Sequence, residues 1–125
     1  PDAAMTRAMV WAILARMDDE TVTGASWQAE AREWAMESGV SDGTDPNAVI
    51  TREQLVTMLW RYLGEPSAAG SLSGYADAGS VSAWASDAML WAVTGGVISG
   101  VTDTTLVPQG SATRAQCAAI LMRNA

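Results

Sequence analysis

Apolar residues recur with helical spacing behind three threonine–arginine pairs. The tripeptides Met5-Thr6-Arg7, Ile50-Thr51-Arg52 and Ala112-Thr113-Arg114 each follow a proline, Pro1, Pro46 and Pro108, placed five residues before the threonine. Behind each threonine, positions +4, +7, +8 and +11 are apolar. They are Val10, Ile13, Leu14 and Met17 in the first copy, and Leu55, Met58, Leu59 and Tyr62 in the second. In the third they are Cys117, Ile120 and Leu121, with Asn124 ending the pattern. This spacing is one face of an α-helix, so the chain predicts three equivalent amphipathic helices. The acids Asp18-Asp19-Glu20 would be repelled by a helix C-terminus, which places the end of the first helix near Met17.

A second element occurs twice. Trp27, Ala31, Trp34 and Ala35 match Trp84, Ala88, Trp91 and Ala92 position for position, again with helical spacing. Gly39-Val40 and Gly96-Val97 follow at one offset, where glycine ends a helix by turning left-handed. Ser41-Asp42-Gly43 and Ile98-Ser99-Gly100 then read as tight turns. The unit is therefore a tryptophan helix, a glycine stop, a crossing loop, a proline and a threonine-started helix. Residues 1–125 form one domain: a partial repeat 1 over 1–22, repeat 2 over about 23–64, a Gly/Ser/Ala linker over 65–74, and repeat 3 over 75–125.

The threonines have a plain physical role. Thr51 with Gln54, and Thr113 with Gln116, fit the capping box, whereas Thr6 is followed by Met9 and keeps only half of it. The arginines do not. A cation at the first helical position opposes the positive end of the helix dipole, at a cost of about 0.3–1 kcal/mol. Two readings account for a penalty repeated three times. In one, free helix N–H groups and the guanidinium converge on a carboxylate or phosphate of a ligand. In the other, each arginine pairs with an acid such as Asp42, Asp77 or Asp103 and staples neighbouring repeats.

Composition narrows the chemistry. The seven basic residues are all arginine, and the chain has no histidine. A Walker A loop, Schiff-base chemistry, Ser-His-Asp machinery and histidine-ligated metal are thereby excluded. A net charge of −7 has the wrong sign for a phosphate-tracking nucleic-acid binder. No apolar run approaches the roughly 20 residues of a membrane span, and any export signal is expected outside this segment. With 49% hydrophobic residues the chain can bury a core. Its lone Cys117 stands where Val10 and Leu55 stand in the other copies and reads as core.

Six tryptophans without a phenylalanine supply stacking platforms. Trp34 and Trp91, flanked by alanines, read as core; Trp27 and Trp84, at helix beginnings, read as groove walls. Asp42-Gly43-Thr44-Asp45 lacks the alternating oxygens and terminal glutamate of a calcium loop, so no metal and no cofactor is expected. Glu30, Glu33 and Glu37, with Arg32 among them, read as a solvated helix face.

The order Tyr75-Ala76-Asp77, Trp84-Ala85, Ala88, Trp91-Ala92-Val93, Gly96-Val97-Ile98-Ser99-Gly100, Pro108, Ala112-Thr113-Arg114-Ala115-Gln116 resembles an S-layer homology domain. The resemblance covers the chain as one partial and two full repeats. It implies an all-α fold, a pseudo-threefold repeat of helix–loop–helix units around a central three-helix bundle. It also implies a secreted protein of the bacterial cell surface. Members of the family bind secondary cell-wall polysaccharide without a covalent bond, often through a pyruvylated sugar, in grooves between repeats.

Carried over by residue, the resemblance assigns Arg7, Arg52 and Arg114 to the acidic group of the sugar, and Asp77 and Trp84 to a groove wall. Trp27 matches Trp84, but Thr23-Gly24-Ala25-Ser26 before it does not reproduce the aromatic-x-Asp start. The family's motif glutamate is replaced by Met9, Gln54 and Gln116. The expectation is thus a non-enzymatic wall-anchoring module with an anionic polysaccharide as partner, and with other copies or a preceding segment as further partners. A protein-interaction or self-assembly module is the alternative; a polar groove with an unpaired arginine would favour the sugar, and a contiguous apolar surface the protein.

Overall fold

The computed structural model describes residues 4–18, 20, 22, 24–95, 97 and 105–123. Pro1, Asp19, Thr23, Gly96, Ile98-Ser99-Gly100, Asp103 and Asn124, used in the reading above, lie outside the described residues. The fold is all-α. Its helices are α1 (Arg7–Met17), α2 (Trp27–Glu37), α3 (Arg52–Tyr62), α4 (Ser86–Thr94) and α5 (Arg114–Arg123), with 3-10 turns at Ala78–Ser80 and Ala83–Ala85.

The three threonine starts are built as the sequence predicts. Thr6 Oγ1 accepts from the Met9 amide at 3.2 Å. Thr51 and Gln54 close a full capping box, and so do Thr113 and Gln116. α1 ends at Met17, before the acids, and Gly39 follows α2 with φ +77°, a left-handed stop. The second tryptophan helix departs from expectation. Trp84 stands in a 3-10 turn and the α-helix begins only at Ser86, because the buried Glu53 carboxylate of α3 holds the Ser82 amide at 2.9 Å and its hydroxyl at 2.7 Å.

The residues just before the three threonines are tied together. The Met5 amide donates to Ala112, the Ala112 amide to Ile50, and the Ile50 amide to Met5, at 3.3, 3.0 and 2.8 Å. All three residues are buried, so this closed ring also satisfies backbone groups that water cannot reach. Trp11, Leu14, Leu55, Leu59, Met89 and Leu106 are fully enclosed below it. Truncating such a leucine to alanine typically costs about 2–5 kcal/mol.

Helix pairing runs across the copies. α1 packs most extensively on α2 and α3 on α4, while α1 and α3 share a shorter contact. Each of these two threonine helices is thus covered by the tryptophan helix that follows it. The covered face holds Ala8, Trp11 and Ala12 in α1 and Glu53, Val56 and Thr57 in α3, all buried. The corresponding residues of α5, Ala115, Ala118 and Ala119, are exposed. Trp34 is in the core, its Nε1 donating to Asp18 at 3.1 Å, but Trp91 is only partly buried, a correction to its reading as core.

Candidate functional site

Two hollows lie at the junctions of the copies. The first, of about 330 Å³, gathers Arg7, the crossing-loop residues Ser41, Asp42 and Thr44, a face of α3, and Trp84. The α3 face is Gln54, Thr57, Met58 and Arg61, one side of a helix from the capping residue to the last turn. The second hollow, of about 420 Å³, gathers Arg114, Met5, Gly24, a face of α1, and Trp27. Its α1 face is Met9, Ala12, Ile13 and Arg16.

The two faces occupy the same positions behind their threonines. Met9, Ala12, Ile13 and Arg16 stand 3, 6, 7 and 10 residues after Thr6, as Gln54, Thr57, Met58 and Arg61 do after Thr51. Each hollow also takes a motif arginine from one copy and a helix-start tryptophan from another. The same register therefore builds both. Their chemistry differs, because Gln54, Thr57 and the 41–44 loop make the first hollow polar, whereas Met5, Met9, Ala12 and Ile13 make the second apolar.

Arg7 and Trp84 are thus brought into one hollow and Arg114 and Trp27 into the other. Arg52 and Asp77 line neither. Arg52 is buried and donates from Nε to the Leu106 carbonyl at 2.9 Å. Burial lowers its pKa from the ordinary arginine value, and the charge of Asp77 works in the opposite direction. Asp77 accepts the Leu106 and Val107 amides, each at 2.8 Å. Those two bonds, then the nearby Arg52 charge, hold its pKa below the usual 3.8. Together Arg52 and Asp77 fix the loop that carries Leu106 and Val107.

Arg7 makes the matching loop contact in the polar hollow. Its Nε donates to the Thr44 carbonyl at 2.9 Å, and its Nη2 reaches Ser41 Oγ at 3.3 Å and Asp42 Oδ1 at 3.4 Å. The side chain is 12% exposed and its guanidinium carbon lies 5.9 Å from the centroid of the Trp11 ring. Asp42 accepts the Thr44 amide and hydroxyl, which lower its pKa with help from Arg7. Asp42 therefore does from within the loop what Asp77 does for the next loop from a helix start. In this respect the missing aromatic-x-Asp start before Trp27 is made good locally.

The helix N-termini correct one expectation. The Arg7 and Ala8 amides donate to the Ala48 and Pro46 carbonyls, and the Arg52 and Glu53 amides to Gly110 and Pro108. The first turns of α1 and α3 are therefore closed by the following crossing loop, and their N–H groups are not available to an anion.

Sequence reasoning passed over Arg16 and Arg61, although a signal exists. Arg16, Arg61 and Arg123 each stand ten residues after a motif threonine. It also passed over Glu53, which besides Ser82 binds the Gln109 amide at 3.3 Å and so anchors the turn bearing Trp84. Among the described residues no group of acids and thiols is placed to hold a metal ion, and no helix is long and apolar enough to cross a membrane.

A family model described as S-layer homology domain matches residues 74–118. An amylopullulanase of Thermoanaerobacterium thermosulfurigenes is 32% identical over 142 aligned positions, which cover 97% of this chain and 8% of that enzyme. An exoglucanase, XynX, of Acetivibrio thermocellus is 30% identical over 142 positions, covering 97% of this chain and 13% of that enzyme. The chain thus spans about a tenth of the length of the curated relatives it matches.

Proposed function

The chain carries an S-layer homology domain, an anchoring rather than a catalytic module, and from that premise we propose that it holds a larger secreted protein on the bacterial cell surface by binding wall polysaccharide in its inter-repeat hollows. One observation carries the reading. Two hollows built on the same register each combine guanidinium groups with a tryptophan at the edge, the pairing that suits an anionic sugar. Trp84, half exposed, offers a stacking face, while Arg61 and Arg7 supply charge-assisted donors. We take the buried ring of Met5, Ile50 and Ala112 as the axis about which the repeats are arranged in pseudo-threefold fashion.

The protein's own net charge of −7 works against general attraction to an anionic wall. Recognition is therefore local to the hollows. The similarity to an amylopullulanase and an exoglucanase over a small part of each fits a module joined to a much longer chain. Sedimentation of the protein with purified wall polysaccharide tests the proposal, with the glycan intact or stripped of its pyruvyl groups. Binding to the intact glycan, weakened tenfold or more by stripping, is the expected result. Equal failure to bind both would overturn it. The apolar lining of the second hollow favours the other reading, docking of a protein partner, at that hollow alone.

A further inference from the structure

Both hollows contain two arginines, one at each end, and the fold treats the two differently. In the polar hollow Arg7 is spent on the crossing loop, with three bonds to Thr44, Ser41 and Asp42, and its charge is answered by a carboxylate. Arg61, at the opposite end, makes one bond from Nη1 to the Val40 carbonyl, at 3.3 Å. Its Nε and Nη2 donors have no partner among the described residues, and no acid is paired with it.

In the apolar hollow the roles are exchanged. Arg16, the counterpart of Arg61, is tied through Nε and Nη2 to the Val22 carbonyl at 3.2 and 2.8 Å. Arg114, the counterpart of Arg7, is exposed and has no hydrogen bond or ion pair among the described residues. Each hollow therefore keeps one guanidinium to hold the fold and leaves one with donors to spare.

We infer that Arg61 is the residue that binds the anionic group of the ligand in the polar hollow, with Arg7 a positioning residue that shapes the loop beside it. The inference rests on the wall-polysaccharide reading and departs from it in one respect, since the motif arginine of this hollow is not the ligand contact. The placing is also physically economical. Arg61 lies in the last turn of α3, where a cation is favoured by the helix dipole, so its charge needs no internal counter-ion. Arg7 lies in the first turn of α1, where the dipole opposes it, and Asp42 offsets that.

The test uses a methyl hexoside bearing a 4,6-pyruvyl ketal as probe, with titration calorimetry and thermal melting on the same samples. An Arg114→Gln background silences the second hollow. Adding Arg61→Gln should weaken the probe tenfold or more, flatten the salt dependence of binding and leave the melting temperature within a few degrees. Arg61→Lys should recover part of the affinity, since a point charge does not reproduce the fork. Adding Arg7→Gln instead should lower the melting temperature and, below it, leave the affinity within about threefold. Unchanged affinity in the Arg61→Gln protein, or a melting temperature that collapses in both Arg61 variants, overturns the inference while leaving the polysaccharide reading in place. A wild-type protein that binds neither the hexoside nor the wall polysaccharide overturns both.

Discussion

The polar and apolar hollows are a comparison made within one chain. Position by position they share a plan, and side chain by side chain they diverge. Gln54 corresponds to Met9, Thr57 to Ala12 and Met58 to Ile13, while the terminal arginines Arg61 and Arg16 are retained. Repetition has thus preserved the groove's outline and its charge while changing its wall. The difference teaches that a register copied from repeat to repeat fixes where a site forms, and a few wall residues decide what it holds.

The largest expected effect follows from Glu53. Its position in α1 is taken by Ala8, so only the polar hollow depends on a buried carboxylate to place its tryptophan. Glu53→Ala should strand the amide and hydroxyl of Ser82 and cost about 3 kcal/mol, as expected for hydrogen bonds to a charged group. Denaturant unfolding measures the loss. Trp84 should become mobile while Trp27 keeps its environment, which site-specific indole NMR signals would report. An undisturbed Trp84 would show that Glu53 does not organise this hollow.

Val107 gives an effect of opposite sign. It precedes Pro108 with φ +49°, as Asp45 precedes Pro46 with φ +49°, so both crossing loops turn left-handed at the same point. Aspartate tolerates that conformation, but a β-branched valine does not. Val107 is 39% exposed, so little packing is lost on replacing it. Val107→Asn should raise stability by about 1 kcal/mol, and Asp45→Val should lower it by a similar amount. Matching melting temperatures across the three proteins would refute the strain.

A smaller gain is expected at Met9. α1 is the threonine helix whose cap lacks a polar partner at this position, and Met9 is partly buried at the edge of the apolar hollow. Met9→Gln would complete the box already present at Thr51 and Thr113, adding about 0.5 kcal/mol. The same change makes the apolar wall resemble the polar one. Binding of the pyruvylated hexoside at this hollow should therefore strengthen together with the melting temperature. A change in stability without any change in binding would separate the cap from the wall.

Much of this plan was legible in the residues. The three threonine starts, the end of α1 at Met17, the glycine stop at Gly39 and the burial of Cys117 follow from local rules of capping, charge and periodicity. Burial raises the Cys117 pKa to about 11, as an unreactive core thiol requires. What stayed hidden was the pairing of elements. Periodicity marks a helix face as apolar without saying which helix covers it, so the pairing of α1 with α2 and of α3 with α4 could not be read. For the same reason the exposure of Ala115, Ala118 and Ala119 on α5 was not visible. The 3-10 turn at Trp84 depends on Glu53, 31 residues earlier, and no local rule links them. Arg16 and Arg61 were within reach, since the ten-residue offset from each threonine is plain once the copies are aligned. The capping motif drew the reading to the helix starts instead.

The smallest effect expected is acid sensitivity, and it separates the hollows most cleanly. Asp42 has its pKa lowered from 3.8, first by the Thr44 amide and hydroxyl and then by Arg7. Asp77 is lowered by the Leu106 and Val107 amides. Because both folded-state values lie below the unfolded one, their stabilisation is fully present above the ordinary carboxylate pKa. It is lost as the pH falls through the depressed values, below 3.8. Asp42 is well exposed to solvent and Asp77 is partly so, and the effect is small. Asp42 lines the polar hollow and, among the described residues, no acid lines the apolar one. On titration from pH 5 downward, the loop at Thr44 should loosen and the polar hollow should lose its ligand before the apolar hollow does. Asp42→Asn should flatten the stability profile in this window and remove the difference between the hollows; Asp77→Asn should flatten the profile without touching that difference. Parallel profiles in the wild type and both variants would show that neither carboxylate holds its loop through the charged form.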